Sequence, residues 1–145
     1  MNDMSSYEKF LIEMGGISCV LLAENRGEFP ISYLREKIYP AIRLKQIEVL
    51  KTPKGEAIGY VIWAFVSDDT LKRLLAEQDT ELHISEWNEG LNLFIVDLLV
   101  KKGHLRYLIH NLKQRLKSCS GEIIYGKRIR ENTSKKLISV NWQKR

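Results

Sequence analysis

Apolar and polar residues alternate at helical spacing at the start of the chain. Aromatic and aliphatic side chains recur every three or four positions over Ser5–Met14, which predicts an amphipathic helix. The pair Gly15–Gly16 is predicted to break or kink this helix, which resumes over the apolar stretch Ile17–Leu22. A polar loop, Ala23–Phe29, follows and ends at Pro30.

The next segments predict a short helix, a hairpin and a third helix. Proline suits the first turn of a helix, and the residue before Pro40 disfavours helical geometry, so a helix is predicted over Pro30–Ile38. Two β-rich stretches, Gln46–Lys51 and Ala57–Phe65, flank a Thr-Pro-Lys-Gly-Glu turn and predict a hairpin. A serine followed by two aspartates then opens a helix that ends near Glu77.

The most apolar stretch of the chain is Leu91–Val100, which predicts a strand buried on both faces. One charge, Asp97, interrupts it, and a lone carboxylate in such a strand costs several kcal/mol unless it is paired or hydrogen-bonded. Asp97 is therefore either a hydrogen-bonded structural acid or a functional group, and composition alone favours the structural interpretation.

The last third of the chain predicts one helix and two strands. Leucines and an isoleucine from Leu105 to Leu116 form a helical apolar stripe, and Gly121 is predicted to close that helix. Strands are predicted over Glu122–Arg130 and Leu137–Trp142, joined by Asn-Thr-Ser. This order of elements predicts an α/β (α+β) fold, a mixed central sheet flanked by helices in a single domain of residues 1–145.

Composition excludes several classes of protein. The chain has 44% hydrophobic and 28% charged residues, and none of its apolar runs reaches the roughly 18 residues of a membrane span. Its beginning lacks a basic segment followed by an apolar core, so we expect a cytoplasmic protein. Cys19 and Cys119 are isolated and are expected to be buried, without a disulfide. No metal site and no cofactor are predicted.

The positive charge is uneven. The net charge is +5, and lysine and arginine dominate from Lys101 to the end of the chain. Such a surface attracts an acidic partner, for example nucleic acid, a membrane surface or an acidic carrier protein, although a merely solvated basic face explains it equally well. The chain has none of the zinc-finger, phosphate-loop or RNP motifs, so a nucleic-acid partner is not predicted.

A set of short motifs, in order and at matching spacing over Gly16–Arg130, resembles the toxin-activating lysine acyltransferases that fatty-acylate RTX haemolysins. The matching pieces are Phe29–Ser32, Tyr39–Arg43 with Gln46, Gly59–Ala64 with Ser67, Glu86–Trp87, Gly90, Phe94–Asp97 and Gly103. The resemblance implies a GNAT-like fold, an acyl-carrier protein as donor and a protein or peptide as acceptor.

The resemblance also implies a catalytic pair, an aspartate on the central strand and a histidine in the loop before the Pro-x-Ser helix. The aspartate corresponds to Asp97, whereas Arg26 stands at the histidine position. Arginine is effectively always protonated and has no acceptor lone pair, so Arg26 is neither a nucleophile nor a general base. It is expected to pair with Asp97, to orient an anion or to stabilise developing negative charge. His104 is the best replacement histidine, although a helix-cap or surface role is the commoner one.

Three functions remain open from the resemblance. In the first, the protein and a partner protein attach a glucosylated catecholate siderophore to a microcin precursor, as divergent members of the family do. The second is acyl-carrier-protein-dependent lysine acylation of an RTX toxin, and the third is a non-catalytic scaffold or chaperone for the toxin precursor. The predicted substrate-binding residues are Trp63, for which a core role is the alternative, and the basic turn Lys101, Lys102, Gly103 and His104. Homo- and hetero-oligomers are both left open.

Overall fold

The structure is a computed structural model that describes residues 4–24, 30–76 and 81–116, and the backbone of 123–130, 133–137 and 140–141. The helices are α1 (Ser6–Glu24), α2 (Ile31–Tyr33), α3 (Tyr39–Arg43), α4 (Asp68–Ala76) and α5 (Leu105–Arg115). A π-helical turn, Leu34–Ile38, joins α2 to α3, and a short 3-10 turn covers Ile84–Glu86.

The strands pair in both directions. They are β1 (Ile47–Lys51), β2 (Ala57–Val66), β3 (Asn92–Val100), β4 (Ile123–Arg130), β5 (Thr133–Leu137) and β6 (Val140–Asn141). The pairs β1–β2, β4–β5 and β4–β6 are antiparallel, and β3–β4 is parallel. Helices with a mixed sheet confirm the predicted α+β class.

The chain forms two compact units, each built from two segments. Unit 1 comprises Met1–Ile62 and Asp97–Lys117, and unit 2 comprises Trp63–Val96 and Ser118–Arg145. Both β2 and β3 have residues in each unit. The single domain therefore stays a prediction.

In unit 1, helix α1 is continuous through its two glycines, so the predicted break is wrong. A Cβ atom at Gly16 would lie 3.5 Å from the Cβ of Ala57 and 3.6 Å from a methyl of Val49. Glycine therefore lets the helix lie close to the hairpin, and packing maintains the helix despite the low propensity of glycine. The described core of this unit is mainly aliphatic; its fully buried side chains include Ile17, Val20, Ile38, Leu50, Tyr60, Val61, Ile62, Leu108 and Leu112.

The helical run after Pro30 extends further than its sequence predicts. It does not stop before Pro40 but continues to Arg43, and Leu44 N–H still donates to the carbonyl of Pro40 at 2.9 Å. Immediately before the proline, the N–H of Tyr39 reaches back five residues to the carbonyl of Leu34. This wider π-helical turn accommodates a residue that has no N–H and whose ring clashes with a regular helix.

The hairpin prediction is confirmed, whereas the predictions for the C-terminal strands and for Cys19 are corrected. β1 and β2 pair as predicted, with a register shift at Leu50–Lys51. β5 was not predicted: Thr133–Leu137 is a strand, and the final strand is only Val140–Asn141. Cys19 is exposed on α1, so its predicted burial is wrong, while Cys119 and Gly121 lie outside the described residues.

In unit 2, the end of β2 is tied to the segment before β3. Phe65 N–H donates to the carbonyl of Trp87, and Glu89 N–H donates to the carbonyl of Phe65, both at 2.9 Å. The Ser67 hydroxyl accepts the N–H of Thr70 at 3.2 Å and caps α4 as predicted. Within the described ranges, none of the helices has the length and apolar character needed to cross a membrane.

Candidate active site

Asp97 lies on β3 in unit 1, where its carboxylate is half-buried and held at both oxygens. Oδ1 accepts the backbone N–H of Leu98 at 2.8 Å. Oδ2 accepts a short hydrogen bond from the Tyr33 hydroxyl, and the Tyr60 hydroxyl is 3.5 Å away. The structural requirement for a buried carboxylate is thus met by hydrogen bonding, and the group is fixed in one orientation.

The two tyrosines come from different elements of unit 1. Tyr33 ends α2, while Tyr60 lies on β2 with its side chain fully buried. Their hydroxyl oxygens are 2.6 Å apart. Because the single Tyr33 proton is donated to Asp97, Tyr60 is the donor in the bond between the two phenols. The three groups form one chain of hydrogen bonds, from Tyr60 through Tyr33 to Asp97.

This environment acts strongly on Tyr33. Burial raises the pKa of its phenol well above the ordinary value, and the charge of Asp97, the nearby Tyr60 and the hydrogen bonds to both add to the rise. A phenolate beside a carboxylate would place two negative charges together in a poorly solvated site. Tyr33 therefore remains a protonated donor.

The predicted basic turn follows β3 directly in the same unit. Lys101, Lys102 and Gly103 are exposed, and His104 is half-buried at the position just before α5. Gly103 has a φ of +92°, a conformation that glycine adopts without strain. The turn is closed by His104 N–H, which donates to the carbonyl of Lys101 at 3.1 Å. A helix N-terminus with two adjacent lysines has the charge distribution that favours an anion.

The structure does not decide the predicted roles of the other site residues. Trp63 lies on β2 with 2% of its surface exposed, as expected for the core alternative; its contact with a substrate stays a prediction. Arg26 lies outside the described residues, so its pairing with Asp97 stays a prediction too. The His104 side chain makes no capping hydrogen bond to α5. Searching the described ranges finds no group of three or more His, Cys, Asp or Glu residues placed to hold a metal ion.

Two residues of the site were missed from the sequence. The sequence places Tyr33 only within the predicted helix after Pro30, whereas the structure shows its hydroxyl bonded to Asp97. Tyr60 was only part of a strand motif. A signal was present: a buried carboxylate needs donors, and a tyrosine in an apolar strand needs a partner for its hydroxyl.

Comparison with known proteins gives this arrangement a family context. Residues 8–142 match the HlyC family, described as the RTX toxin acyltransferase family. The chain is 29% identical over 119 residues to the uncharacterized protein sll0720 of Synechocystis, covering 81% of this chain and 78% of that one. It is 30% identical over 81 residues to the lysine-acyltransferase RtxC of Vibrio cholerae, covering 56% of this chain and 52% of RtxC.

Solved structures with a similar arrangement are acetyltransferases of low sequence identity. Naa20 of Chaetomium thermophilum, solved with a bisubstrate analogue, has a TM-score of 0.49 at 12% identity, covering 90% of this chain and 63% of that one. A GNAT-family acetyltransferase of Listeria monocytogenes has a TM-score of 0.47 at 13% identity, covering 90% and 77%. Similarities of this degree carry no argument about substrates or mechanism. The match over nearly the whole sequence does establish the family: this chain belongs to the RTX toxin acyltransferases.

Proposed function

We propose that this protein transfers an acyl group from an acyl-carrier-protein thioester to a lysine amine of a toxin precursor, and that Asp97 serves the transfer as base or orienting group. The observation that carries this proposal is the Asp97 carboxylate itself. It is fixed at both oxygens on a strand, at the position where the family resemblance expects a catalytic acid. The lysine acceptor is supported by RtxC, whose name is lysine-acyltransferase.

Acyl transfer to an amine requires changes in two bonds and the movement of two protons. The amine nitrogen attacks the carbonyl carbon, the new C–N bond forms, the C–S bond breaks, and the carrier leaves as a thiol. One proton must leave the nitrogen and one must reach the sulfur. A carboxylate near the amine either accepts this proton or orients the ammonium until the proton has left. Proton transfer by a well-placed group typically raises the rate by about 10²–10⁴-fold.

The donor is proposed to approach through the basic turn of unit 1. Acyl carriers present their thioester on a phosphate-bearing arm and have an acidic surface. Lys101 and Lys102 are exposed beside the N-terminus of α5, and the left-handed Gly103 allows a backbone approach there. Such a donor and a toxin precursor place the proposed reaction in the cytoplasm.

The test is transfer in a defined mixture. Purified protein is incubated with an acyl-carrier protein loaded with a fatty acyl chain and with lysine-containing peptides from RTX toxin precursors. Intact-mass spectrometry should show the acyl increment on the peptide and its loss from the carrier. An unchanged peptide mass across several chain lengths, with the protein folded, would count against lysine acylation.

A second function is supported by one sequence observation. Arg26 replaces the expected histidine, which favours a different reaction: attachment of a glucosylated catecholate siderophore to a microcin with a partner protein. Arginine and lysine side chains suit an anionic, phenolate-rich group. The same mass measurement with microcin peptide, partner and siderophore distinguishes the two functions. A complex that binds precursor but yields neither product would leave the scaffold function.

A further inference from the structure

None of the family motifs assigns a role to the hydroxyls of Tyr33 and Tyr60 beside Asp97. We infer that Tyr33 is a positioning residue: its hydroxyl fixes the orientation of the Asp97 carboxylate for acyl transfer, and Tyr60 in turn fixes Tyr33. This inference rests on the proposed function of Asp97. It adds two residues from elements outside β3 to the machinery of the reaction.

The first step of the argument is the anchoring of the carboxylate. The terminal torsion of an aspartate is broad when nothing holds it. Here Oδ1 is held by the N–H of Leu98 at 2.8 Å and Oδ2 by the hydroxyl of Tyr33. The Leu98 contact is local and leaves the carboxylate able to tilt, whereas the Tyr33 contact joins residues 64 positions apart and fixes it against another element.

The second step assigns the direct contact to Tyr33 and a supporting one to Tyr60. The distance from the Tyr60 hydroxyl to Oδ2 is 3.5 Å, at the limit of a hydrogen bond, while the two phenol oxygens are only 2.6 Å apart. The Tyr60 proton is therefore used mainly on Tyr33. Because Tyr60 is fully buried on β2, it provides Tyr33 with a rigid partner.

The third step is the position of Tyr33 on its helix. Its N–H donates to the carbonyl of Pro30 at 2.9 Å, and the π-helical turn begins at the next residue. The Lys37 ammonium lies 5.6 Å from the centre of the Tyr33 ring, within range of a cation–π contact. π-helical turns occur frequently at functional sites, and this one follows directly the residue that contacts Asp97.

Protonation supports the same role. A positioning donor must keep its proton while the carboxylate beside it is charged. The pKa of Tyr33 is raised by burial and by Asp97, so the phenol donates over the whole range in which an acyl transfer is measured. Tyr33 thereby differs from a proton-transfer acid, which needs a pKa near the working pH.

The experiment compares Tyr33→Phe, Tyr60→Phe and a matched control, Tyr39→Phe, in the wild-type and Asp97→Asn backgrounds. Tyr39 is exposed and packs by its ring against Phe10 and Arg43. In the transfer assay, Tyr33→Phe should lower kcat by about 10-fold to 100-fold, with KM for the acyl donor unchanged. Tyr60→Phe should lower kcat less, and Tyr39→Phe should leave it unchanged.

The Asp97→Asn background separates positioning from a general structural effect. Once Asp97 cannot act as a carboxylate, Tyr33→Phe should cause no further fall in the residual kcat. An equal fall in both backgrounds would overturn the inference, as would wild-type kcat in Tyr33→Phe or a larger loss in Tyr60→Phe. If Asp97→Asn itself retains the full rate, the proposed function of Asp97 fails. An active wild type, a slow Asp97→Asn and a normal Tyr33→Phe would reject only the positioning role.

Discussion

Each of the two units contains a carboxylate beside two side-chain hydroxyls, and the two sites differ in solvation. In unit 1, the half-buried Asp97 accepts the phenol of Tyr33, which in turn accepts the phenol of Tyr60. In unit 2, Glu89 receives the Ser67 hydroxyl at 3.0 Å and the Thr70 hydroxyl at 2.5 Å, and its side chain is exposed. The hydroxyls therefore form a relay at Asp97 and two direct donors at Glu89.

At the exposed site, the carboxylate itself responds to its donors. The Thr70 hydrogen bond, followed by that of Ser67, lowers the pKa of Glu89, and water solvates the charge. The cluster ties the loop before β3 to the start of α4. At the half-buried site, the donor responds instead, because burial and the adjacent charge raise the pKa of Tyr33. The Glu89 cluster ties two segments of unit 2 together, whereas a role in chemistry is proposed only for Asp97.

The largest expected effect comes from replacing the carboxylate of each site and measuring the acyl-transfer rate. Asp97→Asn removes the charge and the base, and should lower the acyl-transfer rate by about 10²–10³-fold with little change in KM. Glu89→Gln makes the matched change in unit 2 and should leave the rate unchanged. Steady-state kinetics with loaded acyl-carrier protein measures both. Equal losses in the two variants would contradict the assignment of separate purposes.

The next effect concerns the glycine beside Glu89. A Cβ at Gly90 would lie 2.2 Å from the carbonyl oxygen of Val66, a backbone atom that cannot move aside. A Cβ at Gly59 in unit 1 would meet less close contacts, 2.7 Å to a methyl of Val100 and 3.0 Å to the carbonyl oxygen of Leu99. Gly90→Ala should therefore cost about 3 kcal/mol of unfolding free energy and Gly59→Ala about 1 kcal/mol. Urea denaturation checks the order, and a reversed order would show that β2 in unit 1 is the less tolerant segment.

Local chemistry explains which parts of the fold are predictable from sequence. The hairpin and the Ser67 cap follow from residues adjacent in the chain, and both were predicted. The continuity of α1 depends on Gly16 packing against Ala57 and Val49, which no local pattern contains. Likewise, the helix passes Pro40 because a π-helical turn precedes it, whereas the steric rule for residues before proline predicts a stop.

The residues of the candidate site also divide into those that the sequence indicates and those that it does not. A charge in an apolar strand and a glycine before a helix make Asp97 and the basic turn visible in the sequence, and the family resemblance adds the predicted catalytic role of Asp97. Tyr33 and Asp97 are 64 residues apart, and periodicity places neither opposite the other. The need of a buried carboxylate for donors shows that partners exist, but only the packing of α2 on the sheet residues of unit 1 shows which they are.

A third prediction concerns the unfolding free energy at alkaline pH, where the Tyr33 phenol beside Asp97 should titrate. Because the folded-state pKa of Tyr33 lies above the unfolded value of about 10, the unfolded chain loses this proton first as the pH rises. The stabilisation is fully present below pH 10 and is lost progressively above it. Over pH 10–12, the unfolding free energy of wild type should fall faster than that of Tyr33→Phe by up to about 1.4 kcal/mol per pH unit. Urea denaturation at a series of pH values measures the two slopes, and parallel slopes would mean that Tyr33 titrates normally.

The smallest expected effect acts on the exposed cluster. Ser67→Ala removes the cap of α4 and one donor to Glu89, and should cost about 1 kcal/mol of unfolding free energy at neutral pH. The pKa of Glu89 should rise toward its ordinary value but remain lowered, because the larger contribution comes from Thr70. A carboxylate whose pKa is lowered in the folded state stabilises the protein above its unfolded-state pKa, and this stabilisation is lost as the pH falls. The unfolding free energy of Ser67→Ala should therefore fall less steeply in acid than that of the wild type. A carboxyl NMR titration of Glu89 gives the direction, with Ser85→Ala on the exposed 3-10 turn as control. An unchanged Glu89 titration would show that Thr70 alone ties this loop to the helix, while the loss of the cap would still lower the stability.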